Sequence, residues 1–170
     1  FYTWTLQCHI DIARAVWLDY CDCHMLDTIA REPLWRHLIN YRCGTGHSVS
    51  HVGNVHEGPH ALNGRNTTVF KPGMIVTDEP GVYEGGVVGI RIENELECYH
   101  KASNQYGEFL AFRPVMFVPI ATSPIVPGVL SRDELDWLNA YHREVFEKLA
   151  PRLTEEERDW LAKKCAAIGA

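Results

Sequence analysis

The chain has 170 residues, 46% of them apolar and 22% charged, ordinary globular values that exclude collagen, coiled coil and intrinsic disorder. The length fits one domain with at most a short appendage. Sixteen basic residues against 22 acidic give a net charge of −6, so neither nucleic acid nor a membrane surface is expected as a partner, and no run nears the ~20 apolar residues of a membrane span.

In chain order, Leu6, Ile10, Ala13, Val16 and Trp17 recur at helical spacing and predict an amphipathic helix over 5–17. A second helix is predicted over 25–39, with Leu26, Ile29, Ala30, Leu34 and Leu38 on one face and Pro33 kinking it or starting a new turn. From residue 41 to 66 glycine and histidine are frequent, which predicts short strands and loops. Met74-Ile75-Val76 reads as a strand, Pro80-Gly81 as a turn, and Gly85-Gly86 as the tip of a hairpin. Residues 90–99 alternate like a single strand, and 109–120 suggests one or two more. A Pro-containing connector over 122–129 follows. Ser131 with Glu134, and Thr154 with Glu157, are capping boxes that open two C-terminal helices. The organisation is thus helical over 1–40, strands over 41–120 and helices over 121–170. This segregated order predicts an α+β fold with a mixed, mostly antiparallel sheet flanked by helices.

The six cysteines are scattered, and no secretory signal opens the chain, so the expectation is reduced thiols in a cytoplasmic protein. A zinc site from Cys8, His9, Cys21, Cys23 and His24 is disfavoured. Cys21 and Cys23 are separated by one residue, whereas structural zinc sites space paired thiols by two to four.

Three clusters in the strand region carry the candidate chemistry. They are Gly44-Thr45-Gly46-His47 with Asn54-Val55-His56-Glu57-Gly58-Pro59, then Gly73-Met74-Ile75-Val76-Thr77-Asp78-Glu79-Pro80-Gly81, then Gly89-Ile90-Arg91-Ile92-Glu93-Asn94. Glu79 sits at a strand end before a turn, where scaffolds present functional groups. On a single strand, Arg91, Glu93 and Glu95 would share one face. A histidine and two carboxylates from separate strands suit a divalent ion. The bland alternative is a solvated strand face bearing an Arg–Glu ladder.

In this order the clusters resemble aminopeptidase P of the cytosolic type, the Xaa-Pro aminopeptidases. These belong to the pita-bread metallopeptidases, with methionine aminopeptidase, prolidase and creatinase. The similarity also takes in Leu26-Asp27, Ala30-Arg31, Pro33-Leu34-Trp35 and Asp136-Trp137-Leu138-Asn139 with Tyr141-His142, and so nearly the whole chain. It implies the second half of a pita-bread catalytic domain. It implies two divalent ions, typically Mn2+, that bridge and activate a water for attack on the peptide bond before proline. His47, Glu79 and Glu93 would be metal ligands, with Glu93 bridging both ions and Glu79 also moving the water's proton. His56 would hydrogen-bond the substrate or the tetrahedral intermediate, and Arg91 would support the site. The substrate would be a peptide with proline at its second position.

The chain departs from that pattern in three respects. The family's two aspartate ligands lie upstream of the first helix, and Asp11, Asp19 and Asp22 match no such motif. Cys43 stands where the family has an active-site histidine, and Ser48 and Ser50 stand where it has glycine. The ligand set implies one ion or none for this chain alone and a complementing N-terminal half as partner, while the open sheet edges of half a pseudo-symmetric fold lead to the expectation of a homodimer. The alternative is a catalytically inactive relative serving as a binding or oligomerisation module.

Overall fold

The computed structural model describes residues 1–169. The elements in chain order are α1 (Tyr2–Ala13), β1 (Val16–Leu18), α2 (Cys23–Trp35), β2 (Gly46–His47), β3 (Ala61–Leu62), β4 (Ile75–Asp78), β5 (Gly81–Glu84), β6 (Val88–Arg91), β7 (Asn94–Asn104), β8 (Gly107–Pro114), α3 (Arg132–Leu149), a short 3-10 turn (Ala150–Arg152) and α4 (Glu155–Lys164). A four-stranded antiparallel sheet runs in the order β1-β8-β7-β4, beside the two-stranded ribbons β2–β3 and β5–β6. Helices and antiparallel strands make an α+β fold, with β1 inserted between the two N-terminal helices where an unbroken helical region is expected.

The main core lies between α1, α2 and the sheet. Ile12, Trp17, Leu26, Ala30, Phe70, Val76, Leu96, Leu110 and Phe112 pack there, and each fully buried large side chain contributes about 1.5–3 kcal/mol. A second cluster joins α1 to α3 through Leu6, Ile10, Ile92, Leu135 and Leu138. Both C-terminal helices open on the expected reciprocal capping boxes. The hairpin turns at residues 85–87, with Gly86 at φ +73°.

Four expectations are corrected. The first helix stops at Ala13, and Val16–Leu18 pairs with β8 instead, Trp17 opposite Leu110; pairing to a distant strand overrides the local period. The second helix ends at Trp35. Arg36 is the C-cap, and Leu38, beyond it, has positive φ and is 96% exposed, so it does not continue the helix's apolar face. Pro80-Gly81 is no separate turn, because Gly81 already belongs to β5. The alternating segment 90–99 is two strands, since β6 ends at Arg91 and β7 begins at Asn94. Ile92 enters the α1–α3 cluster and draws the chain from the β5–β6 ribbon to the main sheet. Arg91, Glu93 and Glu95 therefore do not share one strand face.

Candidate functional site

The site forms where β2 crosses the end of β4. Glycine at 46 is required there, because a Cβ would lie 1.7 Å from the Thr77 carbonyl oxygen. Thr77 links the two strands, its hydroxyl accepting from the His47 N–H at 2.9 Å and donating to Glu79 Oε1 at 2.8 Å. The Glu79 N–H donates to the Thr45 carbonyl at 2.7 Å. These bonds set His47 Nε2 3.1 Å from Glu79 Oε1, and Arg91 Nη1 lies 3.1 Å from Glu79 Oε2. Glu79 is buried while Arg91 is half-exposed. The exposed His56 ring lies against His47, with centroids 4.1 Å apart.

His47 Nδ1 faces the Ser48 carbonyl at 3.0 Å. With the proton on Nδ1, the lone pair at Nε2 is directed at the Glu79 carboxylate. Two electron-rich atoms so close suit a shared cation or proton, and a backbone-anchored Nδ1 is how metal-binding histidines are usually oriented.

Glu93 lies in the link between β6 and β7. Its carboxyl is raised above the usual range, first by desolvation and then by the charge of Glu79, against the opposing pull of Arg91 and His47. Those charges thus share one neighbourhood, although Glu93 makes no ion pair or side-chain hydrogen bond among the described residues. Cys43, four residues before His47, packs against the buried cluster of Cys8, Leu34, Tyr41 and Val82, and its carbonyl accepts from Arg31 Nη2 at 2.8 Å.

Arg31 holds the whole approach to His47. Its fork also donates to Asp27 Oδ2 at 2.7 Å, Asn40 Oδ1 at 3.1 Å and the Tyr41 carbonyl at 2.8 Å. The guanidinium stacks on the Tyr41 ring at 4.1 Å. Asp27 in turn accepts from Thr45, to which the Tyr41 hydroxyl is bonded. In the sequence Asp27 and Arg31 stand out only through the family resemblance. Their spacing of four on a helix is the signal for a side-chain pair.

Asp78 was also missed. It is fully buried beside His9, and burial pushes its carboxyl up to about 6. The strand alternation that aims Glu79 at His47 aims Asp78 at the helices. The cysteine–histidine zinc option is closed by packing. Cys8 and Cys23 lie in different core clusters, and burial pushes their thiols up to about 12 and about 11. Asp22 caps α2, accepting from the Met25 N–H, and Asp11 pairs with Arg14.

The model of the metallopeptidase family M24 matches residues 1–99, and that of the C-terminal region of peptidase M24 matches residues 108–168. The chain belongs to metallopeptidase family M24. A probable Xaa-Pro aminopeptidase P of Coprinopsis cinerea is 41% identical over 98% of this chain and 28% of its own length. Aminopeptidase P2 of Arabidopsis thaliana is 42% identical over 94% of this chain and 23% of its own. The X-prolyl aminopeptidase of Caenorhabditis elegans, described as a cytosolic enzyme with a di-nuclear active site, superposes with a TM-score of 0.90 at 38% identity. That superposition covers 98% of this chain and 28% of that one. Prolidase from Pyrococcus furiosus matches 66% of the chain with a TM-score of 0.55 at 25% identity. The fold is therefore the pita-bread fold of M24, and the chain spans about a quarter of the length of the curated relatives it matches.

The M24 residues present fit only part of a metal centre. His47 and Glu79 offer one imidazole and one carboxylate at a common point. No group of three or more His, Cys, Asp or Glu able to hold an ion occurs among the described residues. Among the described residues no helix is long and apolar enough to cross a membrane.

Proposed function

We propose that this chain supplies the second half of the catalytic domain of a cytoplasmic Xaa-Pro aminopeptidase acting on peptides with proline at the second position. The observation that carries this reading is the 3.1 Å approach of His47 Nε2 to Glu79 Oε1, two donor atoms from separate motifs brought to one point. His47, Glu79 and Glu93 would be its contribution to a dinuclear centre, with Mn2+ as the proposed metal. The remaining carboxylates would come from outside these 170 residues, from the same polypeptide or from a partner chain. Arg91 balances the charge of Glu79 and restrains its carboxylate. His56, exposed against His47, would meet a substrate's carbonyl.

The test is a chimera in which residues 1–170 replace the corresponding segment of the C. elegans enzyme. It is expected to bind two ions per chain and to hydrolyse Xaa-Pro peptides, whereas the chain alone should hold one ion or none by elemental analysis. Glu93→Ala should abolish both properties of the chimera. His56→Ala should keep the metal and lower kcat by about 10²-fold, the scale for one acid–base or oxyanion partner. A folded chimera with neither metal nor turnover would overturn the reading.

Cys43 favours a second reading, a relative that binds without catalysing. A thiol packed against Leu34 and Val82 does not replace an imidazole proton donor. On that reading the chimera binds metal and peptide without turnover, and Cys43→His restores hydrolysis.

A further inference from the structure

A fully buried histidine–aspartate pair lies behind Glu79. His9, in the middle of α1, sets Nδ1 3.0 Å from Asp78 Oδ2, and both side chains are wholly excluded from solvent. That approach is a close polar contact and not an aligned hydrogen bond, and none of the four polar atoms, His9 Nδ1 and Nε2 or Asp78 Oδ1 and Oδ2, has a hydrogen-bond partner among the described residues. Trp137 of α3 closes over the His9 ring edge to face, with centroids 6.0 Å apart. A buried carboxylate is costly unless paired, and an apolar pair of similar size would fill the same space at least as well. The pair therefore does something that core filling does not.

Its place in the chain says what. Asp78 is the last residue of β4, opposite Asn94 of β7, and Glu79 follows it directly. Side chains alternate at a strand end, so holding Asp78 against the helix layer turns Glu79 the other way, onto His47 and Arg91. The bonds described above secure Glu79 from its own side, through Thr77 and Thr45. His9 meets the same strand end from behind.

We propose that His9 and Asp78 are positioning residues for Glu79. The buried pair locks the end of β4 to α1, and so holds the Glu79 carboxylate at the point it shares with His47. The inference rests on reading Glu79 as a site residue, but its test uses neither metal nor peptidase activity, so the two can fail separately.

The experiment is carboxyl footprinting of the 170-residue chain. Glycine ethyl ester is coupled with a carbodiimide, and labelling is read residue by residue by mass spectrometry. Asp27 on α2 and Glu134 on α3, both buried, report general loosening. Asp78→Asn and His9→Gln should each speed labelling of Glu79 about threefold or more through local opening, with Asp27 and Glu134 unchanged. The double variant should be no faster than either single one, because the two act as a unit. An unchanged Glu79, additive effects, or a joint rise of Glu79, Asp27 and Glu134 would overturn the proposal. Should Asp78→Asn not fold, His9→Gln carries the same comparison.

Discussion

Gly46 passes so close beneath Thr77 that the space for a single methyl group is taken by the Thr77 carbonyl. This contact is what lets His47, one residue on, reach Glu79, two residues beyond Thr77. Backbone proximity comes first, and the side-chain geometry of the site follows from it.

Gly46→Ala should accordingly be severe. The obstructing atom is backbone, which cannot swing aside, so β2 must leave β4. A loss of about 3 kcal/mol or more is expected, at the upper end of overpacking effects. Gly64→Ala is the control, since a Cβ there meets nothing within 4 Å. Urea midpoints of the two variants decide the matter; equal values would show that β2 moves freely.

Thr77→Val keeps the shape and removes the hydroxyl. The buried Glu79 carboxylate loses a donor and the His47 N–H loses its acceptor. Leaving such groups unmatched costs about 1–3 kcal/mol. The same variant should broaden or shift the His47 imidazole signals in nuclear magnetic resonance spectra, while those of the distant His142 stay in place.

Arg31→Lys tests the loop before His47. Lysine keeps the charge but not the fork that serves Asp27, Tyr41 and Cys43 together. Two backbone carbonyls lose their donor, for an expected loss of about 2–3 kcal/mol. Arg31→Ala should cost more, about 3–5 kcal/mol, because Asp27 is left buried beside an empty place. A lysine variant as stable as the parent would mean that charge alone holds the loop.

His142 makes a pH dependence. It is fully buried, its Nε2 accepts the Ile120 N–H at 3.1 Å, and burial lowers it from the usual 6.5. Below about pH 6.5 the unfolded chain takes up a proton that the folded chain refuses, so stability falls with falling pH until the folded ring also titrates. His142→Gln, whose amide oxygen can accept from Ile120, should flatten this part of the profile. Denaturation midpoints at about pH 7.5 and 5.0 measure it. Identical slopes in parent and variant would assign the effect to other groups.

The ordered motifs, the two capped C-terminal helices, the hairpin tip and the α+β class were legible from residues close together in the chain. Capping boxes, glycine-bounded turns and runs such as Gly73 to Gly81 act over a few positions, so their spacing alone carries them. Tertiary structure decided where the first helix yields to a strand, because Trp17 pairs with Leu110 across most of the chain. It also decided that Ile92 breaks the strand between Arg91 and Glu95, because α1 and α3 supply the pocket for it. The buried His9–Asp78 pair belongs to this second group. Nothing local distinguishes a buried aspartate from an exposed one; only the packing of α1 behind β4 removes its water and puts a histidine in its place.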